Sequence, residues 1–265
     1  MAYITGNRTY WERFLWGMLP FIIVLIVWFI LTLGKNPEDR ILSPIILPSP
    51  QEVVRSIPSL WFDRELTRNA IWSLQRVFFG FIFAAIIAIP LGLTMAAFGQ
   101  IRALGEPLIA VTSYLPIAAL VPLTMSWFGM DETQKIAFLA LATFIYLAPL
   151  SFTSAMKVDQ VYVNTAYTLG ANRWQVLYKV LFMIAAGDLF DNLRMAFGVG
   201  WTYIILAEMV NLGNGLGSLI LISERRGPRE HIYLVLLSII LIAFIIDYIW
   251  KMIGNVIFPY RNLKK

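Results

Sequence analysis

Residues 77–101 read VFFGFIFAAIIAIPLGLTMAAFGQI, 25 residues without a charge between Arg76 and Arg102. A helix needs about 20 residues to cross a hydrocarbon core about 30 Å thick, so this run can span a bilayer. It has company. Arg13 and Lys35 bracket 21 uncharged residues, Glu106 and Asp131 bracket 24, and Lys135 and Lys157 bracket 21. Two later stretches are as apolar but carry one acid each: Met195 to Ser223 is interrupted by Glu208, and His231 to Trp250 by Asp247. The predicted spans are 14–34, 77–101, 107–130, 136–156, 193–212 and 231–250, within a single membrane domain over 1–265.

Composition agrees. Charged residues make up 14% of the chain, against roughly 25% for a soluble domain. Hydrophobic residues make up 59% and the mean hydropathy is +0.71. A soluble fold of this length would lack the polar surface to cover its core. Soluble enzymes, disordered chains and nucleic-acid binders are excluded on this ground. Period-2 alternation is missing from the runs, so the class is all-α with six transmembrane helices rather than a barrel.

The net charge of +5 reads as Lys and Arg flanking the spans. With no cysteine and one histidine, His231, neither a thiolate nor a multi-His metal site is available. The chain has no G-x-x-x-x-G-K-[ST] phosphate loop, so any ATP must be bound by another chain. The first apolar run is too long for a signal peptide and is expected to stay as a span. Trp11, Trp16, Trp72, Trp127 and Trp250 fall near span ends, as an interfacial belt would place them. Pro90, Pro116, Pro122 and Pro149 lie inside spans and predict kinks or breaks. Lys and Arg divide ten and ten between the two sides, so charge leaves the orientation open.

Two linkers separate the spans. In the first, 35–75, prolines 44, 48 and 50 stop helix. A short helix over 51–60 is predicted after them, capped by Ser49 with Pro50 in its first turn. The second, 157–188, holds a helix–glycine–helix unit. Asp159 can cap 160–169, Gly170 sits where a helix end wants a left-handed residue, and Asn172 with Gln175 forms a capping box. The first helix would present Val161, Tyr162, Ala166, Tyr167 and Leu169. Exposed apolar groups on the polar side of a membrane protein suit a partner surface, or else a helix lying on lipid headgroups.

The same unit carries a resemblance. Asn164-Thr-Ala-Tyr-Thr-Leu-Gly170, nine residues, then Val180-Leu-Phe-Met183 resembles the EAA loop of ABC importer permeases. That loop reads E-A-A, three residues, G, nine residues, I-x-L-P. Asn164, Thr165 and Met183 depart from it, whereas Ala166, Gly170 and the spacing match. Pro116-Ile-Ala-Ala-Leu-Val-Pro122, Trp127-Phe-Gly129, Leu47-Pro-Ser-Pro50, Gly170-Ala-Asn-Arg-Trp174, Leu193-Arg194, Trp201, Ala207-Glu-Met209 and Gly215-Leu-Gly217 are similar to the nitrate/sulfonate/bicarbonate-type permeases. The resemblance covers about 45–250.

It implies a type I ABC importer permease in a bacterial inner membrane, with the loop cytoplasmic. It implies that Asn164, Thr165, Ala166, Tyr167, Leu169, Gly170, Ala171 and Arg173 couple the chain to an ATPase. ATP and Mg would sit on two copies of that partner, with no cofactor on this chain. A second copy of the permease, an extracytoplasmic binding protein and membrane lipid complete the expected partners. The solute would be small and anionic, of sulfonate, taurine, nitrate or bicarbonate type.

Inside the spans, Trp127, Tyr146, Trp201, Thr202 and Glu208 are candidate path residues. Intramembrane aromatics more often pack, and Glu208 could instead be hydrogen-bonded between helices. Thr112, Ser113 and Ser126 are weaker candidates that more often bond within helices, and Gly92, Gly198 and Gly200 would allow close helix contacts. Arg194 and Asp191, three apart, predict a helix-end pair, and Asp247 a structural partner. Residues 213–217 are glycine-rich but follow no strand, so they read as a turn. Arg225, Arg226 and Arg229 would meet either an acidic binding-protein patch or lipid phosphate, with His231 at the interface beside them. The rival readings are an ion-coupled transporter or channel using Glu208 or Asp247, and a docking subunit that transports nothing.

Overall fold

Arg76, which bounds a charge-free run in the sequence, lies well inside a helix in the computed structural model, which describes residues 10–34, 36, 39–210 and 213–260. All regular structure among these residues is helical: α1 (Tyr10–Leu31), α2 (Pro50–Arg55), α3 (Leu66–Ala97), α4 (Gly99–Thr112), α5 (Leu120–Phe128), α6 (Glu132–Met156), α7 (Gln160–Thr168), α8 (Arg173–Gln175), α9 (Phe182–Val210), α10 (Leu216–Arg226) and α11 (Glu230–Ile257).

Five helices among the described residues are long and apolar enough to cross a membrane, and there are six such crossings if the bent pair 99–112 and 117–128 counts as one broken span. The predicted span 107–130 is α4 followed by 117–128, bent by 89°. The break falls at Pro116, one of the prolines expected to kink or break a span, which cannot donate a helical bond and stands in extended backbone. Other boundaries also move. The linker predicted to 75 ends where α3 begins at Leu66. The second linker ends at Asn172, because α8 runs through a π-helical Val176–Leu181 into α9 as one 38-residue unit. Lys35 and the last two residues of the span 193–212 lie outside the described residues.

The bundle is built on α3, α6 and α9. Their core includes Val77, Phe81, Phe138, Leu139, Leu147, Phe197, Trp201 and Ile204. A second cluster, with Leu93, Ala155, Val158, Val176, Leu181 and Leu189, lies under the 157–172 loop. Trp250 joins Phe81, Phe190 and Phe197 at ring distances of 5.9, 5.1 and 6.1 Å, so it is a packing residue and not a belt residue. α1 lies off the bundle. Its side chains from Phe14 to Val27 are exposed, and its far end is fastened to the rest through Trp28, whose Nε1 donates to the Pro48 carbonyl at 2.9 Å.

α2 forms as the local chemistry requires. Ser49 and Glu52 make the reciprocal capping box, and Pro50 opens the first turn. Arg40 bonds both Glu52 oxygens, at 3.0 and 2.8 Å, and its guanidinium holds the Glu52 carboxyl down at about 2.

Close approach of α3 and α6 needs glycine at two places. A Cβ on Gly80 would meet the Leu139 Cβ at 2.6 Å, and one on Gly92 would meet the Phe152 amide nitrogen and Ser151 Cβ at 2.6 Å. Gly80 was not singled out by the sequence, and Gly198, which was, has nothing within 4 Å of its Cβ position. Gly92→Val is therefore expected to lower the thermal midpoint of the purified protein strongly, with a cost of about 1–3 kcal/mol or more for overpacking. Gly198→Ala should leave it within about a degree, since nothing is displaced. Equal midpoints for the two variants would contradict the packing.

Candidate functional site

The chemistry-bearing residues gather at the two ends of the bundle. At one end is the 157–172 loop. Asp159 Oδ1 accepts the Val161 amide at 2.9 Å and starts α7. At the other end of α7, Gly170 takes φ +83°. The Gly170 amide donates to the Tyr167 carbonyl at 2.9 Å and the Ala171 amide to the Ala166 carbonyl at 3.0 Å. This pair of bonds is the Schellman motif, which requires a left-handed residue at the position of Gly170. Its Cβ position is open, so the demand there is conformational rather than steric. Asn172 and Gln175 close the capping box reciprocally at 2.8 Å and launch α8.

α7 has two faces. Val163, Ala166 and Ala171 pack on the second core cluster. Ala166, expected on the presented face, is thus an inward anchor. Val161, Tyr162, Tyr167 and Leu169 face outward, Leu169 with 82% exposure. Asn164, Thr165 and Arg173 are exposed too. Met183, which replaces the motif's proline, falls inside the continuous helix, where no helix start occurs.

At the opposite end of α6, about 37 Å away by helix rise, is a charge node that the sequence reading missed. Arg76 of α3 is buried, with its Nη2 donating to Glu132 Oε1 at 2.7 Å and its Nη1 to Glu208 Oε1 at 2.6 Å. Lys135 Nζ reaches Glu132 at 3.1 Å. Two acids and two bases meet, so the node is neutral. The Glu208 carboxylate also accepts from Ser73 Oγ at 2.8 Å and from the Gly217 amide at 2.8 Å. The remaining turn groups are tied down as well. Arg76 Nη1 donates to the Asn214 carbonyl at 2.7 Å, the Gly215 amide to Asn69 Oδ1 at 2.6 Å, and the Leu216 amide to Ser73 Oγ at 2.9 Å.

The glycine-rich 213–217 stretch is indeed a turn, and its glycines seat the acid. A Cβ on Gly215 would lie 2.3 Å from the Glu208 carboxyl carbon, and one on Gly217 2.8 Å from the Glu208 Cβ. A legible signal did exist for this node. Asn69, Ser73 and Arg76, spaced i, i+4 and i+7, form a polar stripe on one face of an apolar helix.

The other candidates divide. Glu208 and Trp201 are buried within the protomer, because α9 turns both of them into the core. Thr202, one residue further on, is exposed, as are Trp127 and, marginally, Tyr146. The Thr112 and Ser113 hydroxyls both bond back to the Ile109 carbonyl. Arg194 closes a fork on Asp247 of α11, with Nη2 to Oδ2 at 2.7 Å, and Asp191, the neighbour that the spacing suggested, also acts on its charge. Glu208 and Asp247 are each tied to an arginine, so neither stands as a bare ion-coupling carboxylate. His231 is buried, with Nε2 2.8 Å from Ser59 Oγ, and is not an interfacial residue. Arg225, Arg226 and Arg229 are exposed, and Arg229 holds the Ile45 carbonyl at 3.1 Å. No cluster of three or more metal-ligating side chains occurs among the described residues.

The family model described as the binding-protein-dependent transport system inner membrane component matches residues 88–257. The chain belongs to that family. It is a permease, the membrane-spanning subunit of an ABC transporter, and ATP hydrolysis belongs to a separate chain. The permease is 29% identical over 231 residues to the taurine transport system permease protein TauC of Escherichia coli, covering 85% of this chain and 82% of that one. It is 23% identical over 258 residues to the putative aliphatic sulfonates transport permease protein SsuC of Bacillus subtilis, covering 97% and 91%. Among solved structures, a chain of the inward-facing MetNI methionine ABC transporter superposes with a TM-score of 0.67. That match has 16% identity and covers 75% of the permease and 97% of the other chain. The permease thus has the type I importer permease fold.

Proposed function

We propose that two copies of this permease enclose the path of a small sulfonate-type anion in a bacterial inner membrane, fed by an extracytoplasmic binding protein and driven by an ATPase pair that docks on α7. The observation that carries the reading is α7 itself. It is capped at both ends, anchored by Val163 and Ala166, and offers Val161, Tyr162, Tyr167 and Leu169 to a partner. Outward aromatics and an aliphatic tip on a rigid support suit insertion into a protein cleft. ATP and Mg would be held by the ATPase. The solute class is supported by the names of the taurine and aliphatic sulfonate relatives. The stretch of α1 from Phe14 to Val27, exposed in the protomer, offers a face on which a second copy could pack.

The test is co-expression with the partner ATPase and binding protein, native mass determination, and taurine uptake into liposomes. Two permeases with two ATPases and ATP-dependent uptake are expected. A particle without ATPase, or uptake indifferent to ATP, would overturn the proposal.

A further inference from the structure

The bend between α4 and the following turn does not suit a lipid-facing surface. Arg102, near the start of α4, sits beside the loop end of α6, its Nη1 3.8 Å from the Met156 sulfur and its guanidinium carbon 5.5 Å from the Phe152 ring centre. Thr112 lies ten residues on, about 15 Å along the helix, which is about half the depth of the hydrocarbon layer. There the helix stops and the chain turns by 89°.

Among the described residues, no backbone bond reaches the carbonyls of Ser113, Tyr114 or Leu115. The Ser113 hydroxyl cannot reach these carbonyls, being spent on the Ile109 carbonyl. No side chain of α4 is buried in the protomer, and Tyr114 is 88% exposed. Bare carbonyls at that depth persist only against protein or a water-filled cavity, because hydrocarbon cannot satisfy them.

We propose that the Ser113–Pro116 break lines the aqueous solute path, with the Tyr114 phenol on its wall as a hydrogen-bond donor to the anionic end of the passing solute. This rests on the reading that two copies enclose a path. It places the path contact on the broken span, away from Trp201 and Glu208.

The cysteine-free chain makes the test direct. Single cysteines at Tyr114→Cys and Ser113→Cys are compared with Val24→Cys and Ile86→Cys, exposed apolar positions of α1 and α3. The assembled complex in membrane vesicles is treated with a sulfonate-bearing thiosulfonate reagent and, separately, with uncharged N-ethylmaleimide. A thiol reacts as its thiolate, which needs water, so the break cysteines are expected to react with the charged reagent about tenfold or more faster than the controls.

Two results overturn the proposal. One is reaction at 113 and 114 no faster than at the two control positions, with either reagent, which places the break against lipid. The other is reaction with neither reagent but cross-linking between copies, which places it against protein. Fast charged labelling in a complex without ATP-dependent uptake would support a water-lined break and overturn the transport reading alone.

Discussion

Arg76→Met is expected to melt far below the parent complex, because it leaves Glu208 buried without its cation. Removing one partner of a buried ion pair costs about 3–5 kcal/mol, whereas replacing both by apolar groups of similar size is often close to neutral. Glu208 accepts bonds from Ser73 and Gly217 as well, but neither brings a positive charge. Glu132 would suffer less, being half exposed and still paired with Lys135. The double variant Arg76→Met/Glu208→Met should therefore recover most of the loss. Thermal midpoints of the two single variants and the double variant, measured on the purified complex, form the cycle that isolates the coupling. Additive losses would mean that the two side chains do not act as a pair.

Gly170→Val is expected to abolish ATP-driven uptake with little loss of protein. A left-handed backbone costs an L-residue about 1–2 kcal/mol, and β-branching adds to that. Nothing crowds the new side chain, since the Cβ position is open, so the bundle should still fold. What changes is the end of α7, where the two bonds to Tyr167 and Ala166 aim Leu169 outward. Hydrolysis by the ATPase should then lose its link to transport. Gly170→Asn, which tolerates the same backbone better, should keep much of the activity. Full uptake in the valine variant would remove α7 from the coupling role.

The loop was legible because its signals are local. A cap, a glycine and a second cap each act within four residues, and Asp159, Gly170 and Asn172 all sit where the sequence places them. The node was not legible as a node, because charge was read as the edge of a span. Arg76 broke an apolar run and was taken for its boundary, but the paired acids come from α6 and α9, 56 and 132 residues away. Only tertiary contact shows that Arg76 and Lys135 balance Glu132 and Glu208. Within 107–130 the break was legible at Pro116 but its size was not, because a hydropathy window does not sense direction and the 89° turn is directional. Gly80 shows the same limit, since nothing in its neighbours announces that a Cβ there would meet the Leu139 Cβ at 2.6 Å.

The continuous helix from Arg173 to Val210 has a mechanical consequence. At 38 residues it is a strut about 57 Å long, with one foot beside α7 and Glu208 near its other end. A displacement imposed on the loop cannot be lost in a flexible joint, because the unit has no loop in it. It either carries the Glu208 seat along or is taken up at the wide turn over Val176–Leu181, where the helix departs from α geometry. On the proposed coupling role of α7, that turn would act as the shock absorber of the strut, and its stiffness would set how much of a push at the loop end arrives at the Glu208 end.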